Sequence, residues 1–285
     1  MIKSRFSVIL MLICAFLWST GGILIKATTW NSFAITGSRS FIASFLVLGF
    51  LVVSHKKLTF SKTSCLASVL LSVAYFSFIG ANKLTTAANA IVLQYTSTIF
   101  IMIYGVIFLK QKWRKKDVAA AVFTFLGIAL FFIDGIGAGT TVGNLIAIFA
   151  GAVLGGMYFI SGTVSLEERL SSIWLAHIIT AVVGVPFVWI TNAEFSVHNI
   201  IFILLLGIVQ IGLPYILFAL AVEKCPPFAC SLIGVLEPLL NPVWVFLDIG
   251  EKPGITALFG ALIVLSTVTM WCILGDTKKK KGAVK

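Results

Sequence analysis

Apolar residues run along this chain in long blocks, separated by short polar or charged connections. A helix needs about 20 mostly apolar residues to cross a hydrocarbon core. Blocks of that character fall at 5–25, 33–54, 63–78, 87–109, 118–133, 143–161, 173–190, 200–222, 227–247 and 255–274, the third and fifth being the shortest. The pattern predicts an all-α integral membrane protein of ten transmembrane helices. The connections leave room for short loops and for no soluble domain.

Composition agrees with that pattern. Hydrophobic residues make up 59% of the 285 and mean hydropathy is +1.08, well above an ordinary soluble domain. The first block follows Lys3 and Arg5, as the apolar part of a leader would, but it continues through Trp18 to Ile25. That is too long for a usual leader, so an uncleaved first span is expected. Cys14, Cys65, Cys225, Cys230 and Cys272 form no C-x-x-C pair and sit mostly inside apolar blocks. They read as small fillers, not as a disulfide framework or a zinc site. No metal and no cofactor are expected.

Charge supplies an orientation. Lysines and arginines crowd alternate connections: Lys3 and Arg5, then Lys56, Lys57 and Lys62, then Lys110, Lys112, Arg114, Lys115 and Lys116, then Arg169, Lys224 and the tail from Lys278 to Lys285. The other side keeps Lys26, Arg39, Lys83 and Lys252. Short loops follow the positive-inside rule, so both termini of this multi-pass chain are expected in the cytoplasm, with the protein in the cytoplasmic membrane. In a soluble chain a net charge of +11 would point to nucleic acid. Here topology and anionic lipid headgroups account for it, and no nucleic-acid partner is expected.

Set against itself at an offset of 140 residues, the chain repeats weakly. Trp18 falls on Tyr158, Ala81 on Ala221, Ala90 on Cys230, and Tyr95-Thr96-Ser97-Thr98-Ile99 on Val235-Leu236-Glu237-Pro238-Leu239. Each half then holds five spans, and an odd number places equivalent loops on opposite faces. The 110–116 connection is strongly basic while its counterpart at 248–252 is slightly acidic. This is the signature of two inverted-topology five-helix repeats, residues 1–137 and 138–277, followed by a basic cytoplasmic tail, 278–285.

Several stretches resemble a known family. They are Ala15-Phe16-Leu17-Trp18-Ser19 in the first block, Arg39 early in the second, and Leu93-Gln94-Tyr95-Thr96 in the fourth. The longest is Leu236-Glu237-Pro238-Leu239-Leu240-Asn241-Pro242-Val243-Trp244, followed by Gly250-Glu251. Together they make the chain similar, over essentially its full length, to the EamA-type family of the drug/metabolite transporter superfamily. The resemblance implies a ten-helix transporter of two inverted repeats with a central cavity and alternating access, nearest in kind to bacterial exporters of amino acids and related metabolites. The family often has Pro where Thr98 stands and Glu where Gln111 stands. The fourth helix is therefore expected to be less kinked than the ninth, and functional symmetry between the halves is in doubt.

Glu237 is the sharpest candidate. It lies about 11 residues into its block, roughly 16 Å down a helix, near the midplane of a core about 30 Å thick. An ionisable group there costs about 2.5–3.5 kcal/mol on insertion scales and faces a cavity or a partner. Two readings stand: it binds a proton or a substrate amine, and so couples transport, or it ties neighbouring helices together. Pro238 and Pro242 break the backbone ladder beside it, and such breaks need protein or water as partners. Asn241, four residues on, shares its face. Pro214 marks a similar break before Tyr215, with Gln210 one turn earlier. Trp18 and Tyr158, in matching positions, read either as aromatic walls of a cavity suited to rings and amines or as packing aromatics. Tyr95 and Tyr75 are further cavity candidates. Arg39 either snorkels to the surface or binds a substrate carboxylate. His177 reads as a packing residue or a proton relay.

These residues favour a secondary transporter that moves a small organic metabolite, an amino acid or related compound, outward by alternating access. Protons are a candidate coupling ion, and the molecule is expected to be a monomer or a homodimer among membrane lipids. Uptake of a cationic or quaternary amine through an aromatic cage is the alternative. A polytopic membrane enzyme is more distant, and the chain is not expected to be one: His55, His177 and His198 are scattered, and no H-E-x-x-H or P-loop motif is present.

Overall fold

The computed structural model of the chain describes residues 5–85, 87–133, 140–240, 244 and 254–282. Asn241, Pro242 and the 248–252 connection lie outside the described residues. The described elements are helices: α1 (Arg5–Ser19), α2 (Gly21–Lys26), α3 (Ser32–Val53), α4 (Lys62–Leu84), α5 (Ala87–Gln94), α6 (Ser97–Leu109), α7 (Lys115–Phe131), α8 (Thr141–Ser161), α9 (Leu166–Gly184), α10 (Phe187–Ile190) and α11 (Val197–Leu205). A π-helix, Leu206–Gly212, leads into α12 (Leu213–Val222), followed by α13 (Pro227–Gly234) and α14 (Ile255–Gly282). Eight of the described helical stretches are long and apolar enough to cross a membrane. The third apolar block is not short after all, because α4 spans 23 residues.

Helix starts carry the polar residues that satisfy free N–H groups where lipid cannot. Ser165 accepts from the Glu168 amide while the Glu168 side chain accepts from the Ser165 amide, and Ser61 and Ser64 form the same reciprocal cap. Asn31, Thr140 and Ser196 cap α3, α8 and α11.

Among the described residues, three spans are broken in mid-course, and the seventh is interrupted near its end, between α9 and α10. The first breaks between α1 and α2, where Ser19 and Thr20 donate their hydroxyls to the carbonyls of Phe16 and Leu17 at 2.6 and 2.7 Å. The fourth breaks at Tyr95–Thr96, where the Thr96 hydroxyl donates to Leu93 O at 2.6 Å. Back-bonds of this kind bend helices. The third break follows α13 at Val235, with helix resuming over 236–240. Tyr95 and Val235 are the residues that the 140-residue offset superposes. The expectation of a straighter fourth helix is therefore corrected: a hydroxyl back-bond breaks it at the position where the ninth breaks before Pro238.

Helix pairing respects the exchange of the two halves. α4 packs on α8 and α1 on α12; α4 packs on α9 and α3 on the π-helix; α5 and α6, the two parts of the fourth span, pack on α8 and α1 on α13. Each pair becomes the other when the halves are swapped, and the remaining large pairings, α3 with α9 and α7 with α14, map onto themselves. The α3/α9 crossing is a backbone contact: a Cβ on Gly37 would stand 2.3 Å from the Gly184 carbonyl carbon, so only glycine fits. Arg169 is no loop charge, contrary to its place among the charged connections. It is 3% exposed, and its guanidinium donates to the carbonyls of Ser161, Ala219 and Val164, stapling the end of α8 to α12.

Candidate functional site

The helix breaks converge on one cavity of about 530 Å³. From the first half come Trp18 at the end of α1, Arg39 of α3, Tyr75 of α4, and Gln94 and Tyr95 at the fourth-span break. From the second half come Tyr158 of α8, Gln210 of the π-helix, Tyr215 of α12, and Gly234, Glu237 and Pro238 at the ninth-span break. Trp18, Tyr95, Tyr158, Tyr215 and Glu237, scattered in sequence, are thus brought together, with Pro238 beside them. Pro214 is buried one residue from the wall, and its carbonyl accepts from Cys14 Sγ at 3.2 Å. Asn241 and Pro242 lie outside the described residues.

The lining continues from Trp18 past Gly21 to Ile25 and across the 27–31 turn to Ser32. The cavity therefore reaches toward the membrane face that carries this turn. The rim there is pinned across the halves: Trp30 Nε1 donates to Glu194 O at 2.6 Å, and the Thr29 amide donates to Asn199 Oδ1 at 3.2 Å. At the other end aromatics close the floor. Trp18 packs on Tyr215 and Phe218 with ring centroids 5.5 and 6.4 Å apart, and Tyr158 packs on Phe218 at 4.8 Å. Phe218 is wholly buried. One residue beyond it, the Ala219 carbonyl accepts from Arg169.

Two described lining residues, Arg39 and Glu237, bear an ionisable guanidinium or carboxyl group, and they do not pair with each other: the described ion pairs are Lys56–Glu167 and Arg114–Asp117. Glu237 Oε2 stands 3.4 Å from the Tyr95 hydroxyl, a long hydrogen bond that Tyr95 splits with Gly234 O at the same distance. Arg39 does not snorkel. Its Nη1 donates to Gln210 Oε1 at 2.9 Å, and its guanidinium lies 5.9 Å from the centre of the Tyr75 ring. Behind the wall, His177 is fully buried. It stacks on Tyr75 at 6.1 Å and meets Tyr215 edge-on at 5.6 Å, which makes it a backing residue for two lining rings.

Local chemistry explains the Gln210 position. Pro214 has no N–H to give the carbonyl four residues back, and the helix relieves this by widening to π geometry just before it. Gly207 lets that segment press on α3, where a Cβ would meet Ile42 Cβ at 2.6 Å. Gly21 leaves room for the Gln210 amide, which a Cβ would meet at 2.9 Å.

A family model for EamA-like transporters matches residues 5–133 and again 142–272. The chain belongs to the EamA-like transporter family. Among curated relatives, it is similar to an "Uncharacterized transporter" of Archaeoglobus fulgidus, 24% identical over 205 residues, covering 68% of this chain and 69% of the relative. It is also similar to an "Uncharacterized transporter" of Clostridium kluyveri, 21% identical over 196 residues, covering 64% of this chain and 62% of the relative. A solved crystal structure superposes with a TM-score of 0.80 over 94% of this chain and 96% of that one, at 14% identity, so the two share a fold. The protein is thus a multi-pass membrane protein of a transporter family, built from two EamA-like segments, and both segments contribute walls to the cavity.

Sequence reasoning did not single out Phe218 or Ser231, which shares a 2.8 Å hydrogen bond with Thr98 between α13 and α6. An apolar Phe in an apolar block carries no signal. Thr98, noted only as a missing proline, proves to be a cross-half polar link.

Proposed function

We propose that this EamA-like protein is a secondary transporter that exports a small organic metabolite, an amino acid or a related compound, across the cytoplasmic membrane by alternating access. The observation that carries the reading is a cavity, walled by both segments, that reaches one membrane face and is closed at the other by Trp18, Tyr158, Tyr215 and Phe218. With the ten crossings and cytoplasmic termini that the charge pattern supports, the open face is the outer one. Opening inward then requires the two inverted repeats, 1–137 and 138–277, to rock about the α3/α9 and α7/α14 contacts. Glu237 is the coupling residue, taking a proton or the ammonium group of the substrate in turn. Trp18, Tyr95, Tyr158 and Tyr215 enclose the apolar part of the substrate, and the breaks at Pro214 and Pro238 are the bending points.

The test is efflux of labelled amino acids from proteoliposomes. The wild type is expected to show saturable efflux of at least one amino acid. Glu237→Gln, inserted and folded normally, is expected to slow it about tenfold or more and to flatten its dependence on pH. Equal efflux and an unchanged pH profile in that variant would remove Glu237 from the coupling role.

A further inference from the structure

One arginine, Arg169, is buried, and another, Arg39, is half-buried in the cavity wall, and their surroundings differ. Arg169 uses its guanidinium on three backbone carbonyls, those of Ser161, Ala219 and Val164. All of these are fixed parts of the fold, so Arg169 is satisfied by structure alone. Arg39 is held differently. It sits about 10 Å along α3 from Ser32, in the wall of the cavity. One nitrogen, Nη1, donates to a side chain, Gln210 Oε1. Its Nε is buried without a hydrogen-bond partner among the described residues, and no described carboxylate lies within ion-pair reach. A guanidinium carries five N–H donors in a planar fork that matches a carboxylate. Glu237 shares the cavity with this cation but forms no ion pair with it, and a desolvated cation without a contacting counter-charge is costly.

The holder is itself built. Gln210 Nε2 donates to Trp18 O at 3.4 Å, so its amide oxygen is turned to Arg39. The π-helix set up by Pro214 presents that amide, Gly21 clears the space for it, and Gly207 lets the segment approach α3. The Tyr75 face covers the guanidinium from another helix. The arrangement holds the guanidinium in the cavity wall with Nη1 engaged and Nε unpartnered.

We infer that Arg39, oriented by Gln210 and Tyr75, is the anion-receiving subsite of this cavity, and that the transported molecule presents a carboxylate to it. The inference rests on the transport reading above and narrows it. Glu237, on the opposite segment, takes the positive group, so the substrate carries both charges with an apolar body against the aromatic floor. A simple amine, or a quaternary amine, gives Arg39 no contacting anion and is disfavoured.

The experiment compares matched probes on purified full-length protein: L-phenylalanine and L-leucine, their carboxamides, and their decarboxylated amines. Binding is read by thermal shift and calorimetry, and flux by proteoliposome efflux. The acids are expected to stabilise the wild type and the amides and amines to bind at least about tenfold more weakly, the loss of a charge-assisted pair. Arg39→Gln is expected to keep the melting temperature without ligand and to bring acid and amide affinities together. Arg39→Lys, which keeps charge but loses the fork, should restore part of the preference. The inference is overturned if amides or amines bind the wild type as well as the acids, if no acid binds it, or if Arg39→Gln keeps the preference. Acid binding that depends on Arg39 without any flux would leave the subsite standing and sink the transport reading instead.

Discussion

Glu237 and Arg39 bear the ionisable carboxyl and guanidinium groups among the described residues lining one cavity, and each is supported by a neutral polar partner from the other half of the chain. Tyr95 reaches Glu237 across the halves, and Gln210 reaches Arg39. Such partners orient a charge without neutralising it, which suits a group that must exchange ligands. Removing one should loosen the charge and spare the fold. Tyr95→Phe is expected to leave thermal stability within about 1 kcal/mol while shifting the pH profile of transport, measured by efflux at a series of pH values. An unshifted profile would mean that the Tyr95 contact is incidental. Arg169 makes the opposite case. Arg169→Met strips a donor from three buried carbonyls, each costing about 1–3 kcal/mol. A clear fall in the melting temperature is expected, without a change in substrate preference. His177, by contrast, needed the fold to be understood: a lone histidine in an apolar block reads equally well as relay or packing. Its place behind Tyr75 and Tyr215 depends on α9 meeting α4 and α12.

At the scale of elements, the irregular helices matter most. The breaks after Ser19, at Tyr95–Thr96 and at Val235 end helical ladders at the cavity wall, and the π-helix before Pro214 does the same from α12. Prolines made two of these sites legible in the sequence. The fourth-span break was not legible, because it is made by a threonine side chain and by a glycine on another helix: a Cβ on Gly151 of α8 would stand 2.6 Å from Thr96 Oγ1. A glycine such as Gly151 inside an apolar block does not show what packs against it. Likewise Gln210 was visible near Pro214, but its partner Arg39 lies on α3, a tertiary fact. The crossing of α3 and α9 brings backbone against backbone, and Gly37→Leu would force the helices apart. Overpacking costs about 1–3 kcal/mol in adaptable cores and more where backbone meets backbone. The variant is expected to express poorly and elute as aggregate in size-exclusion chromatography; a monodisperse, transport-competent Gly37→Leu would show that the crossing yields.

At the scale of the whole molecule, the paired helix contacts and the paired breaks describe two similar units wrapped around a shared cavity. Much of this was readable: the 140-residue offset matched Trp18 to Tyr158 and Tyr95 to Val235, and these positions fall at the floor and at the equivalent breaks. The span pattern gave nearly every helix, with the length of α4 as the main departure, since Ala81, Asn82, Lys83 and Leu84 continue a helix that hydropathy alone would end. The central claim is that the cavity is the transport path, open to the outer face as described. The most direct measurement places one cysteine at Ile79, a lining residue, in a chain whose five native cysteines are replaced, and applies a membrane-impermeant thiol reagent to sealed, right-side-out vesicles. The account predicts modification from outside, loss of flux on modification, and protection by a transported amino acid. Modification only from the cytoplasmic side, or full modification with flux unchanged, would contradict it.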